Sequence, residues 1–251
     1  MWSNVVAGCR AFPKRPSAAS LVTMADQDIT LSHFRGQLWS DIEGIFARVL
    51  DHPFITGLMD GSLPPDAFRH YLVQDSHYLH RYARVLAMCA GKADEPEDTN
   101  MFARHAAISV ATELQMHAAL LTEMGCDLDQ VATEPVGPTT RAYLSFLTAS
   151  ACGGSFGEAI GAVLPCYWIG AKLGELLRVN GSPNPLYARW IDNYADEAFQ
   201  GITEEVLGAI DRAGARIPER DRDRVRDANR TAARYEWMFW DASYRRETWP
   251  V

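Results

Sequence analysis

Residues 162–172 read AVLPCYWIGAK, inside a run from Ala159 to Ala171 that carries no charged side chain. A helix that is apolar all round is normally surrounded by protein, so this segment is expected at the centre of the fold. Ser155 and Glu158 form a capping-box pattern just upstream, which starts the helix there and carries it to about Val179. Pro165 interrupts it. The ring removes one backbone hydrogen bond and crowds the preceding turn, so a bend is expected at that point. Cys166 follows at once, which puts a thiol beside the bend. The plain reading of a lone cysteine is a small core hydrophobe. Whether it does chemistry depends on what other inward-facing polar groups accompany it.

Outward from this segment, helical periodicity dominates from Leu31 onward and no strand-like alternation persists. A first helix is expected over about 32–50, with Phe34, Leu38, Ile42, Ile45 and Val49 inward. His52-Pro53-Phe54 breaks it, and Gly57 and Gly61 mark a short irregular stretch. Pro64-Pro65 opens a long helix to about Gly91, since proline is tolerated in a first turn. Residues 92–98 read as a solvated turn, 100–124 as a helix, 126–138 as a loop and 139–152 as another helix ending at Gly153-Gly154. After the central helix and the loop NGSPNP at 180–185, further helices cover about 186–214 and 218–246. This pattern predicts an all-α fold: a single-domain helical bundle over residues 28–251, not a repeat array.

The 251-residue chain has a net charge of −8 and no basic run, which argues against a nucleic-acid surface. Cys9, Cys89, Cys126, Cys152 and Cys166 are odd in number and lack C-x-x-C spacing, so neither a disulfide framework nor a zinc site is expected. Reduced thiols in a cytoplasmic protein are the simplest reading. No segment reaches the roughly 20 consecutive apolar residues of a membrane span. Residues 1–27 carry Arg10, Lys14 and Arg15 with no acid before Asp26, and read as a leader, disordered or preceding a true start at Met24.

Two acids break apolar stripes. In the helix after Pro65 the inward face is Phe68, Leu72, Asp75, Leu79, Tyr82, Leu86 and Cys89, with Asp75 at its middle and Tyr78 three residues on. A buried carboxyl group is costly unless hydrogen-bonded or paired. Capping of a neighbouring helix, or a bond to a core tyrosine, is the plainer alternative. In the last helix Val225, Asn229, Ala232, Glu236, Phe239 and Ser243 face inward, and Glu236 lies among Tyr235, Trp237, Phe239 and Trp240. A carboxyl group among aromatic rings should have a raised pKa and can donate a proton near neutral pH. The alternative is a structural ion pair with Arg234 or Arg245. Tyr143 and Tyr194 can also project inward with a hydroxyl to satisfy. Glu113 and His117, spaced i, i+4, can share a local hydrogen bond or ligate a metal, with His77, His80 and His105 as further donors.

Five stretches, in this order, resemble the TenA family, also called thiaminase II or aminopyrimidine aminohydrolase. They are HPF at 52–54, YLVQDSHYL at 71–79, LPCYWIG at 164–170, PLYARWIDNYADEAF at 185–199 and YEWMFWDASYRRETW at 235–249. The resemblance covers His52 to Trp249. It implies a bundle like that of haem oxygenase without haem, commonly assembled as a homotetramer, acting on a small pyrimidine or on thiamin with no cofactor, nucleic acid or membrane involved. The implied reaction converts aminopyrimidines from thiamin breakdown, and thiamin itself, to hydroxymethyl-pyrimidine. Carried over position by position, Cys166 matches the family's nucleophile, Glu236 its proton donor and Asp75 the aspartate that holds the pyrimidine. Tyr78 matches the tyrosine that sharpens the thiol, and Tyr143 and Tyr194 match pocket tyrosines. Where the family often has a tyrosine four residues after the cysteine, this chain has Gly170, which should leave room beside the ring unless a neighbouring aromatic fills it. Two readings from other classes stand beside this one. One is a di-iron oxidase using Glu113, His117, Asp75 and Glu236; the other is a non-catalytic pyrimidine-binding regulator.

Overall fold

The computed structural model describes residues 34–251, apart from the side chains of Thr112 and Glu113. The leader read at 1–27 lies outside the described residues. The elements are α1 (Phe34–Leu50), α2 (Pro53–Asp60), α3 (Pro65–Lys92), α4 (Pro96–Ile108), a π-helical turn (Ser109–Glu113), α5 (Leu114–Glu123), α6 (Leu128–Thr133), α7 (Pro138–Gly153), α8 (Phe156–Arg178), α9 (Pro185–Tyr194), α10 (Glu197–Arg216) and α11 (Glu219–Arg245). No strand occurs among the described residues.

The central helix is α8. Its capping box is formed: Ser155 Oγ accepts from Glu158 N at 3.2 Å, and Glu158 Oε2 accepts from Ser155 N at 2.8 Å. These bonds satisfy two of the donors that every helix start leaves orphaned. The helix runs without interruption through Pro165, and Ala159 to Pro165 and Tyr167 to Ala171 are buried. Around it pack α3, α7, α9, α10 and α11. Two glycines of α8 let neighbouring backbones approach closely. A Cβ on Gly161 would lie 2.8 Å from Val225 O of α11, and one on Gly174 only 2.3 Å from the Tyr194 backbone of α9. By length and composition α8 could also cross a bilayer, contrary to the reading of the sequence as lacking such a segment, but most of it is buried inside the bundle. One continuous core holds the helices, with Leu38, Phe46, Phe54, Phe68, Phe102, Leu147, Ile169 and Ile210 wholly inside. Each fully buried side chain of this size contributes about 1.5–3 kcal/mol.

The structure departs from the sequence reading at four places. Residues 53–60 form a helix where an irregular stretch was expected, because His52 caps it: Nδ1 accepts from Phe54 N at 3.1 Å. The helix expected from 100 begins at Pro96 and changes to π geometry over Ser109–Glu113. The loop expected over 126–138 contains α6, capped by Asp127, which accepts from Asp129 N at 3.0 Å. The helix expected over 186–214 is two, since Asp196 starts α10 by accepting from Ala198 N at 2.8 Å.

Candidate active site

Helices α3, α7, α8, α9 and α11 wall a single cavity. Regular helical spacing supplies the lining. Tyr71, Asp75 and Tyr78 share one face of α3, Cys166 and Gly170 one face of α8, Trp190 and Tyr194 one face of α9, and Glu236, Phe239 and Trp240 one face of α11; α7 adds Tyr143. The six site residues expected from the sequence, Cys166, Glu236, Tyr78, Asp75, Tyr143 and Tyr194, therefore all line one cavity.

Cys166 is half-buried between buried Pro165 and Tyr167. The Tyr82 hydroxyl donates to Val163 O at 3.0 Å and also lies in hydrogen-bonding contact with the thiol. Burial pushes the phenols of Tyr71, Tyr78, Tyr82 and Tyr143 well above their usual range, so at neutral pH these groups are uncharged. Tyr78 packs against Tyr143 with centroids 5.3 Å apart, and its hydroxyl is buried.

Glu236 is buried and accepts from the Tyr143 hydroxyl at 2.7 Å. Burial pushes its carboxyl group up to about 7, with the Tyr143 bond pulling the other way. Desolvation dominates because a single phenol cannot replace the hydration of a carboxylate. Arg245, one of the two partners considered for an ion pair, instead bonds Asp241 at 2.8 Å. Asp75, also buried, accepts from the Tyr71 hydroxyl at 3.2 Å, and His117 Nε2 stands 3.4 Å from the same oxygen.

The rest of the wall is aromatic. Tyr71 stacks on Trp240 with centroids 5.1 Å apart and planes at 14°. Trp190 Nε1 donates to the Tyr71 hydroxyl at 3.3 Å and packs against Tyr194 at 4.5 Å. Flat walls with a few convergent polar groups suit a flat heterocycle. Tyr71, Trp190 and Trp240 were not taken as site residues in the sequence, although each lies four residues from Asp75, Tyr194 or Glu236 and so had to share its face.

The room expected beside Gly170 is filled. A Cβ there would lie 3.3 Å from Tyr194 Cδ1 and 3.5 Å from Phe199 Cζ, so rings from α9 and α10 occupy the space. Gly170→Tyr is accordingly expected to overpack the site, at about 1–3 kcal/mol, and to displace Tyr194. A thermal melt, and the ratio of kcat/KM for thiamin to that for aminomethyl-pyrimidine, check this. An unchanged ratio in a stably folded variant would show that position 170 does not shape the pocket.

Of the residues considered for a metal site, His117 lies beside Asp75, the side chain of Glu113 is outside the described residues, and the others stand apart. His105 bonds Glu205 at 2.8 Å away from the cavity, His80 is exposed and Glu236 is bonded to Tyr143. Among the described residues no three His, Cys, Asp or Glu side chains are grouped to hold a metal ion.

Comparison with known proteins agrees with this fold. The model of the TENA/THI-4/PQQC family matches residues 39–246. An aminopyrimidine aminohydrolase of Bacillus subtilis is 31% identical over 198 residues, which span 79% of this chain and 84% of that protein. A TenA homologue from P. horikoshii superposes with a TM-score of 0.78 at 27% identity, covering 85% of this chain and 99% of the other. A domain with a haem-oxygenase-like fold from Shewanella denitrificans superposes with a TM-score of 0.68 at 17% identity, covering 88% and 94%, a likeness of fold alone.

Proposed function

Because this chain belongs to the TENA/THI-4/PQQC family, we propose that it is an aminopyrimidine aminohydrolase of thiamin metabolism working by covalent cysteine catalysis. It converts 4-amino-5-aminomethyl-2-methylpyrimidine and water to the hydroxymethyl product and ammonia. The observation that supports this reading most is the convergence of Cys166, Glu236 and Asp75 on one aromatic-walled cavity.

The electron-poor ring accepts the Cys166 thiolate at a ring carbon, and the new C–S bond ends the ring's aromaticity. Electrons pushed back through the ring expel the group on the exocyclic methylene. Glu236, with a carboxyl group near 7, gives that nitrogen its proton, so that ammonia leaves. Glu236 then takes a proton from water as the oxygen adds to the methylene. Loss of the C–S bond restores the aromatic ring and frees the enzyme. Asp75 meets the ring nitrogen and the amino group, with Tyr194 and Trp190 along the ring. These groups act on the ring and its methylene and not on a thiazole, so the aminomethyl compound is the better substrate than thiamin.

Purified protein should release ammonia and hydroxymethyl-pyrimidine from the aminomethyl compound; no product under these conditions would overturn the assignment. Asp75→Asn should raise KM far more than it lowers kcat. An amide offers one acceptor and one donor where the carboxyl group offered two acceptors, so one ring contact turns repulsive. A lower melting temperature with an unchanged KM would make Asp75 structural instead.

A further inference from the structure

His117 is wholly buried, and neither of its ring nitrogens has a hydrogen-bond partner. Buried polar atoms in that state are rare enough to need an explanation. Burial pushes the imidazole down to about 3, so it is uncharged at neutral pH and carries a single N–H. Asp75 Oδ2 lies 3.4 Å from Nε2. The Tyr71 ring, whose hydroxyl donates to that same oxygen, packs against His117 with centroids 6.3 Å apart.

The backbone explains how His117 comes to face this point. On α4 the buried positions Met101, Phe102 and His105 lead to Ser109 at regular α-helical spacing. Continued in the same period, that face would next meet residues 112 and 116. The π-helical turn Ser109–Glu113 absorbs one extra residue. The inward face is thereby shifted by one position, to His117, Leu120 and Leu121, while Met116 is left half-buried. Single π turns within helices are rare and are found frequently at functional sites. Here the re-aimed side chain is the one that reaches Asp75.

We propose that His117 is the positioning residue for Asp75, its Nε2–H closing on Oδ2 when a pyrimidine is bound. With Oδ2 gripped by both Tyr71 and His117, the plane of the carboxyl group is fixed, and with it the direction in which Asp75 meets the ring. Hydrogen bonds of this kind are often long in an empty site and tighten on binding. This role rests on the pyrimidine reading above. It makes His117 a specificity-determining residue that touches no substrate.

The test compares His117→Phe, which keeps a ring of similar size without an N–H, with His117→Gln, whose amide nitrogen can reach the position of Nε2. In His117→Phe, KM for the aminomethyl-pyrimidine should rise about ten-fold or more with kcat changed much less, because a donor to the binding carboxyl group is lost. His117→Gln should recover most of that loss. A folded His117→Phe with wild-type KM overturns the proposal, and so does a His117→Gln that behaves like His117→Phe. Nitrogen-15 NMR of wild-type His117 keeps the question open to test even if a variant does not fold. A proton on Nε2, with a resonance that moves when hydroxymethyl-pyrimidine is added, supports the role; a proton on Nδ1 overturns it. Wild-type protein that turns over no aminopyrimidine overturns the catalytic reading alone. The same comparison is then made on the calorimetric Kd for hydroxymethyl-pyrimidine, where about ten-fold weakening in His117→Phe supports the role and an unchanged value overturns it. Failure of the wild type to bind that compound overturns both.

Discussion

Cys166→Ser is expected to fold like the wild type and to lose aminopyrimidine hydrolysis by on the order of 10³-fold or more. The substitution changes one atom at a half-buried position, so no large cavity opens in the core. The hydroxyl can keep the contact with Tyr82. What disappears is the polarizable sulfur that can add to an aromatic ring and later leave it. Far-ultraviolet circular dichroism and a melting curve check the fold, and ammonia release checks turnover. Wild-type rates in a folded variant would remove the covalent step from the mechanism and leave Cys166 as a wall of the pocket.

Glu236→Gln is expected to slow turnover by about 10²–10⁴-fold, since the side chain keeps its shape and loses its transferable proton. The wild-type rate should fall as pH rises through about 7, where Glu236 gives up that proton, and the limb should be absent from the variant. The same residue should mark the stability of the protein with a definite sign. The folded carboxyl group titrates near 7, and its reference value is 4.5. Between these values the folded state holds a proton that the unfolded chain has released, so stability falls as pH rises through this window and stays reduced above it. A shift of this size corresponds to roughly 3 kcal/mol. Glu236→Gln escapes that cost. It should melt higher than the wild type at pH 8, and the gap should close as pH falls below about 4.5. A gap independent of pH would mean that Glu236 is not held near 7 in the fold, and unchanged kcat would mean that it is not the acid.

What could be read in advance follows from where the physical signal resides. The stripes of α3 and α11 were legible because long helices repeat every 3.6 residues, and Asp75 and Glu236 stood out as acids on otherwise apolar faces. Cys166 was legible through Pro165, the uncharged run around it and the resemblance carried by LPCYWIG. Short helices were missed because α2 and α6 span too few turns to show a period, and their start signals, His52 and Asp127, resemble ordinary turn residues. The apolar pattern crosses the break between α9 and α10, so the cap at Asp196 was overridden in the reading. The π turn at Ser109–Glu113 has no compositional mark, and so the direct approach of His117 to Asp75 was not read, although both stood among the ligands considered for a di-iron site. Tyr71, Trp190 and Trp240 were hidden for a different reason. An aromatic residue on an inward face is ordinarily core, and only the assembled helices show that one side of each ring borders empty space.

Every side chain that walls the cavity belongs to a helix, and none comes from a connection between helices. The order in which the chain visits those helices is therefore independent of the chemistry they hold. The turn between α5 and α6 illustrates the freedom this leaves. Gly125 is exposed there, with φ at 78°, and Asp127 beside it is exposed as well. Added chain length at such a point costs little, because loop-closure entropy grows only slowly with length. A second folded unit could be spliced in at this turn, or the ends of the polypeptide relocated to it, with the cavity and its walls carried along.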